Sequence, residues 1–367
     1  MKDAKASLMQ QIDHALSIEP LKEEHLTVAQ RHLDNLTKPR GSLGRLETLA
    51  CRLFAILEGQ LPLSVNPAIM LTVAADHGVA SQKVSPYPQA VTRQMVQNFL
   101  QEGAAINVLC KVSGMDLRIV DAGCCGGPFA PHPMLLERRL GDGTADICLG
   151  PAMSRDTCLE GLRAGVKLVK DMVDKGYRCV GTGEMGIANT TIATALYCAL
   201  LGRDPVEMTG PGAGANSAMI RHKMRTVVKA LEVNSAYLHG DAIDILAALG
   251  GFEIVIMTGL MLGAASRRIP VLVDGFITSA AYVAALAICP TVREYAILTH
   301  SSAEPGHRLA LEGLTHDREF DSPLLHLGMR LGEGTGAAVA YHLLRSATAV
   351  FNDMATFNTA GVSERTC

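Results

Sequence analysis

The sequence predicts an α/β fold: a Rossmann-like parallel sheet flanked by helices, with a smaller helical piece beside it. Three observations predict this. Short apolar runs rich in Val and Ile end in Gly, Asp or Ser and lack alternation, as strands buried on both faces do. Longer stretches of helical period separate them, and strand, glycine-rich turn, helix is the repeat of a parallel sheet. Hydrophobic residues make up 48% and aromatics only 4%, with no Trp and 16 Met, so the core is aliphatic and suited to layered packing. At 367 residues the chain is long for one domain and short for three.

The first 60 residues are helical in period. "MKDAKASLMQQIDHALSIEP" lacks an uninterrupted apolar core and a clear cleavage site, so it reads as an amphipathic helix rather than a signal peptide. Leu43, Leu46, Leu49, Leu53 and Leu57 recur at spacings of three and four, a one-faced helix. The expected strands then follow: "AIMLTVAADHG" from Ala68, "LRIVDAG" from Leu117, "DICLG" from Asp146 and "YRCVGTGEMG" from Tyr177. "EIVIMTG" from Glu253, "PVLVDGF" from Pro270 and "YAILTHSSAEPGH" from Tyr295 complete the set. Helices are expected over Thr190–Leu201, Ser217–Leu231 and Ile277–Ala287, and a helix with a loose tail closes the chain. Parallel βα units imply right-handed crossovers and ligand binding at the carboxyl ends of the strands.

Composition excludes several classes. A formal net charge of −3 without basic stripes argues against nucleic-acid binding. Ten scattered Cys, with no CxxC, argue against a secreted disulfide framework and point to a reducing cytoplasm. No apolar run is long enough for a membrane span of about 18 residues. No spacing suggests a metal cluster.

"GTGEMGIANTT" places Gly181, Gly183 and Gly186 in a GxGxxG pattern after a strand. A dinucleotide site needs an acidic residue ending a second strand about 20 residues on. Asp204 and Glu207 are near that distance, but a helical run precedes them. The broader reading is an anion seat at a helix N-terminus, with Asn189, Thr190 and Thr191; tight packing is the alternative. "MTGPGAGANS" opens a second helix carrying Lys223, read from spacing as a solvated face. In "SSAEPGHR", Glu304 or His307 binds substrate or locks the loop, and no GxSxG elbow supports a hydrolase. "ADHGVASQKVSPYPQAV" is a substrate-lining loop in which His77 is either a base or structural. "KPRGSLGRLE" offers an anion contact through Lys38, Arg40 and Arg45, or an ordinary helix capped by Ser42. Cys124 and Cys125 read as small loop residues, because adjacent Cys rarely form an unstrained disulfide.

"MRLGEGTGAAVA" also matches GxGxxA through Gly332, Gly334 and Ala337. Glu333 would repel a phosphate there, most strongly at low dielectric. A helix N-terminus stabilises an ionised carboxylate. Glu333 is therefore either a cap or a general base for a nitrogen heterocycle.

Taken in order, "KPRGSLGRLE", "ADHGV", "GTGEMGIANTT", "TGPGAG", "VDGFITSAAYVA", "SSAEPGH" and "MRLGEGTGAA" resemble one family closely. It is the nicotinate-nucleotide:dimethylbenzimidazole phosphoribosyltransferases of cobalamin lower-ligand synthesis, and the likeness runs from about Lys38 to Ala340. The resemblance implies transfer of the phosphoribosyl group of nicotinate mononucleotide to 5,6-dimethylbenzimidazole, giving α-ribazole 5′-phosphate and nicotinate with inversion at C1′. It makes Glu333 the general base. It assigns Glu184, Gly186, Asn189, Thr190, Lys223, Ser302, Gly306 and His307 to the nucleotide and its phosphate. Ser85, Tyr87, Gln89, Met185 and Leu331 are expected to line the base pocket. No cofactor is implied, and the expected partners are the two small-molecule substrates and a second copy in a homodimer. Residues 1–60 and 331–367 are expected to build the small helical domain, and 61–330 the large catalytic one.

Overall fold

A computed structural model describes residues 18–312, 314 and 322–363. The amphipathic helix expected before residue 18 lies outside the described residues, as does the extreme C-terminal tail.

Two helices open the described chain, α1 (Glu23–Asp34) and α2 (Arg45–Ile56). The sheet begins with β1 (Ala68–Ala75), buried along its whole length. Helices α3 (Ala90–Leu100) and α4 (Ala105–Ser113) lead to β2 (Asp116–Gly123) and the short β3 (Leu135–Glu137). Next come α5 (Arg155–Asp174), β4 (Cys179–Met185), α6 (Asn189–Leu201), α7 (Pro205–Met208) and α8 (Ser217–Val233). Then follow α9 (Ala242–Leu249), α10 (Phe252–Ser266), β5 (Val271–Val273), α11 (Phe276–Ile288) and β6 (Ala296–Leu298). The chain closes with α12 (Pro305–Glu312), α13 (Thr335–Asp353) and α14 (Phe357–Ala360).

The six strands are parallel and ordered β3-β2-β1-β4-β5-β6. β1 and β4 run in register from Ala68↔Cys179 to Ala74↔Met185, so their carboxyl ends open on one edge. α10 and α11 cover one face and α13 and α4 the other, so the strands are apolar on both sides. α2 packs on α13, and Leu36 bridges Thr356, so the early helices meet the end of the chain.

Two strand expectations are corrected, and one strand is added. "EIVIMTG" is not a strand but part of α10. That helix is buried all round between the sheet and α5, so it shows no amphipathic period. Its glycines set the close approach: a Cβ at Gly259 would lie 2.1 Å from the carbonyl oxygen of Leu162. "DICLG" is a turn, in which Asp146 Oδ1 accepts from Cys148 N at 2.9 Å. The edge strand β3 is an addition to the expected set; two half-buried leucines and an exposed Glu137 carry too little pattern to announce it.

The "KPRGSLGRLE" segment resolves into local structure. Lys38 Nζ lies 2.8 Å from Glu47 Oε1, with both side chains buried. Glu47 Oε1 also accepts from Leu43 N at 2.9 Å. The N-cap of α2 is Gly44, not Ser42. Arg45 donates to the carbonyls of Ser322 and Pro323, tying this segment to the chain leading into the Glu333 turn.

Candidate active site

The carboxyl ends of β4, β5 and β6 surround a cavity of about 380 Å³. β4 delivers Glu184, Met185 and Gly186, and the turn into α6 adds Ile187, Asn189 and Thr190. The loop after α7 supplies Gly212 and Ala213; the turn after β5 supplies Gly275 and Phe276. His300, Ser302 and Glu304 follow β6, and Arg330 to Glu333 close the far side. Tyr87, Val91 and Met95 form an apolar rim with Leu331; Tyr87 and Leu331 are exposed.

Glu333 is buried, yet its backbone has φ +63°. That left-handed conformation is costly for a residue with a side chain, and persists only where surroundings enforce it. They do so here. Thr72 Oγ1 donates to the Glu333 carbonyl at 2.8 Å. Gly183 leaves room for that carbonyl: a Cβ there would lie 2.1 Å from it. The Glu333 carboxylate accepts one long bond, from Ile106 N at 3.4 Å, in the first turn of α4. Burial raises its carboxyl above the ordinary range, Asp274 adds to this, and the Ile106 N–H pulls the other way. The Glu333 carboxylate does not cap the helix that follows it. Asp274 caps that helix instead, and for Glu333 desolvation outweighs the Ile106 N–H.

Glu184 shares the cavity. Burial pushes its carboxyl up to about 8, and Asp274, Glu253 and Glu333 push the same way against a hydrogen bond from Asn189 Nδ2. A carboxyl so placed is largely protonated at neutral pH and so able to donate a hydrogen bond.

The phosphate candidates stand in two layers. Asn189, Thr190 and Ser302 are on the cavity wall. Lys223 is buried rather than solvated, correcting the reading from spacing; its Nζ donates to Thr190 Oγ1 at 2.6 Å. Burial lowers its ammonium to about 8, and Glu304 pulls it back upward. Gly306 packs against the backbone of Met208, behind the wall. Burial depresses His307 to about 3, so its ring is neutral. Nδ1 accepts from Ser302 N at 2.8 Å and Nε2–H donates to Ser279 Oγ at 2.9 Å, so His307 locks the loop. His77 is likewise internal, paired with Glu253.

Tyr87, Met185 and Leu331 line the cavity, whereas Ser85 and Gln89 do not. Ser85 Oγ accepts from Tyr87 N, and Gln89 Nε2 turns to Cys125 Sγ at 3.3 Å, in a neighbouring cleft with Asp76 and Arg93. Cys124 and Cys125 are free thiols in a loop. Sequence reasoning missed Asp274, His300, Arg330 and Phe276. Asp274 and His300 end or follow apolar runs, which was the available signal.

A phosphoribosyltransferase family model matches residues 18–362. A nicotinate-nucleotide–dimethylbenzimidazole phosphoribosyltransferase of Nitratidesulfovibrio vulgaris Hildenborough is 56% identical over 349 residues, covering 95% of this chain and 96% of that one. Its namesake from Chlorobaculum tepidum is 46% identical over 347 residues, covering 95% and 96%. The crystal structure of the enzyme of that name from Thermus thermophilus superposes with a TM-score of 0.86 at 38% identity, covering 94% of this chain and all of that one.

Proposed function

The chain belongs to the nicotinate-nucleotide–dimethylbenzimidazole phosphoribosyltransferase family, and we propose that it moves the phosphoribosyl group of nicotinate mononucleotide onto 5,6-dimethylbenzimidazole. One observation carries the reading. The carboxylate of Glu333 is held on a strained backbone at the cavity, desolvated, beside an apolar rim that suits a flat aromatic base.

One imidazole nitrogen of the base attacks C1′ as the bond from C1′ to the pyridinium nitrogen breaks. Glu333 takes the proton from the other nitrogen. Nicotinate departs with a neutral ring nitrogen, so the leaving group needs no general acid. Attack opposite the departing ring inverts C1′ and gives the α-riboside phosphate. No pyrophosphate leaves, so the chemistry makes no demand for Mg²⁺. Positioning, electrostatics and one base supply the rate.

In this reading Asn189, Thr190 and Ser302 hold the nucleotide, with Lys223 setting Thr190 from behind. Arg330 is at the same wall, fixed to the carbonyl of Gly212 at 2.9 Å. Tyr87, Met185 and Leu331 cover the base. In the same reading residues 61–330 are the catalytic domain, and the segment from 331 delivers the base, its described part to 363 returning to the N-terminal helices. We further infer a cytoplasmic homodimer: the described cysteines are all free thiols, and the family resemblance implies the second copy. Among the described residues no helix is long and apolar enough to cross a membrane.

Incubation with nicotinate mononucleotide and dimethylbenzimidazole tests the activity. Nicotinate release that depends on the benzimidazole is expected. NADH binding without such release would overturn the assignment.

A further inference from the structure

Helix α13 is 19 residues long and begins two residues after Glu333. Its N-cap, Gly334, has no side chain to satisfy the first N–H groups. Those groups and the helix dipole draw the nearest carboxylate. By sequence that is Glu333. In the fold it is Asp274, which follows β5. Its Oδ2 accepts from Gly334 N at 3.2 Å and its Oδ1 from Ala337 N at 3.1 Å. The arrangement is close-packed. A Cβ at Gly336 would lie 2.8 Å from Asp274 Oδ1 and 2.0 Å from the His300 ring.

We propose that Asp274 is a positioning residue for Glu333: by occupying the N-terminus of α13 from another element, it leaves the Glu333 carboxylate free to face the cavity. The inference rests on the reading of Glu333 as the base. Without Asp274, the N–H groups of Gly334 and Ala337 are left open to Glu333 beside its one long bond, and a capped carboxylate is a poor proton acceptor. The charge of Asp274 beside Glu333 also favours the protonated form of Glu333 and strengthens the base.

The groups facing Glu333 come from every side. Glu184 ends β4, Asp274 follows β5, and His300 follows β6 with Nε2 3.5 Å from Asp274 Oδ1. Arg330 precedes Glu333 in its own turn. β1 contributes the Thr72 hydroxyl and α4 the Ile106 N–H. Of these carboxylates, Asp274 alone holds the backbone of the Glu333 turn through its hydrogen bonds.

The test compares kcat, KM and their pH dependence for the wild type, Asp274→Asn, Asp274→Glu and Glu333→Gln. Asp274→Asn removes the charge and one of the two acceptors. It is expected to lower kcat roughly tenfold and to shift the acid limb of kcat to lower pH, with the nucleotide KM within about threefold of wild type. Asp274→Glu keeps the charge but displaces the carboxylate. It is expected to lower kcat while leaving the acid limb near its wild-type position. A wild-type acid limb and kcat in a folded Asp274→Asn would overturn the positioning role. Should that variant not fold, unchanged kcat in Asp274→Glu would overturn it equally. Glu333→Gln separates the two readings: if it retains turnover, the base assignment fails first, whatever Asp274 does.

Discussion

Nε2 of His77 lies 3.0 Å from Oε1 of Glu253, and neither side chain reaches solvent. The imidazole is wedged beneath Gly186, where a Cβ would lie 2.7 Å from Nε2. The pair therefore underpins the turn that carries Glu184 and Asn189. Burial is the largest single influence and pulls the His77 pKa down, but the charge and hydrogen bonding of Glu253 together with the charge of Asp76 outweigh it, so the net shift is upward. A raised folded pKa stabilises fully below the unfolded value of about 6.5 and is lost as pH rises through the folded value. Glu253→Gln leaves His77 without its counter-charge and is expected to cost about 3–5 kcal/mol at pH 6. Urea unfolding across pH should show the gap to wild type narrowing on the alkaline side. A constant gap would mean that His77 is neutral in the fold.

Glu333→Gln keeps the shape of the turn and removes the base. Turnover is expected to fall by about 10²–10⁴. Binding of nicotinate mononucleotide, followed calorimetrically, should stay within a few-fold of wild type. In the wild type, burial holds the Glu333 carboxyl above its ordinary range, so the acid limb of kcat should lie above that range too.

Lys223 lies one layer behind the cavity and is charged below about pH 8. Lys223→Met is expected to raise the nucleotide KM by roughly 10- to 100-fold, the scale of about 1.5–3 kcal/mol for a charged hydrogen bond. In the wild type the same KM should begin to climb as pH passes 8. A flat KM up to about pH 9.5, well beyond that lowered ammonium value, would place phosphate recognition on other groups.

Gly183→Ala puts a methyl group 2.1 Å from the Glu333 carbonyl oxygen. Backbone must yield there, not a flexible side chain. Overpacking of this kind costs about 1–3 kcal/mol of stability. The catalytic loss should be larger, of order 10²-fold in kcat, because a shift of about 1 Å in a reacting group costs that much. Thermal melting and turnover on the same preparation separate the two effects.

The fold was largely legible because buried parallel strands leave an unmistakable trace: apolar runs that stop at Gly, Asp or Ser. α10 escaped for the same physical reason, since a helix buried on every side leaves no face to detect. At the site, Glu333 stood out because a charge is conspicuous among glycines. Asp274 did not, because its partners, Gly334 and Ala337, are some sixty residues away and are reached only through the fold. Lys223 read as surface because a helix sequence does not show which neighbour covers it. His307 read as equally suited to substrate or structure, and only the engagement of both ring nitrogens distinguished them.

Strand β4 and the Glu333 turn have a joint consequence. Gly183 makes room for the carbonyl of Glu333, and Gly332 makes room for the carboxylate of Glu184, where a Cβ would lie 2.1 Å from Oε1. The strand end and the turn are moulded to each other, like a lock cut for one key. A nucleotide-style fingerprint here receives the chain's own backbone. For anyone grafting this active site onto another scaffold, the transferable module is the pair: either segment moved alone would arrive with a gap that nothing fills.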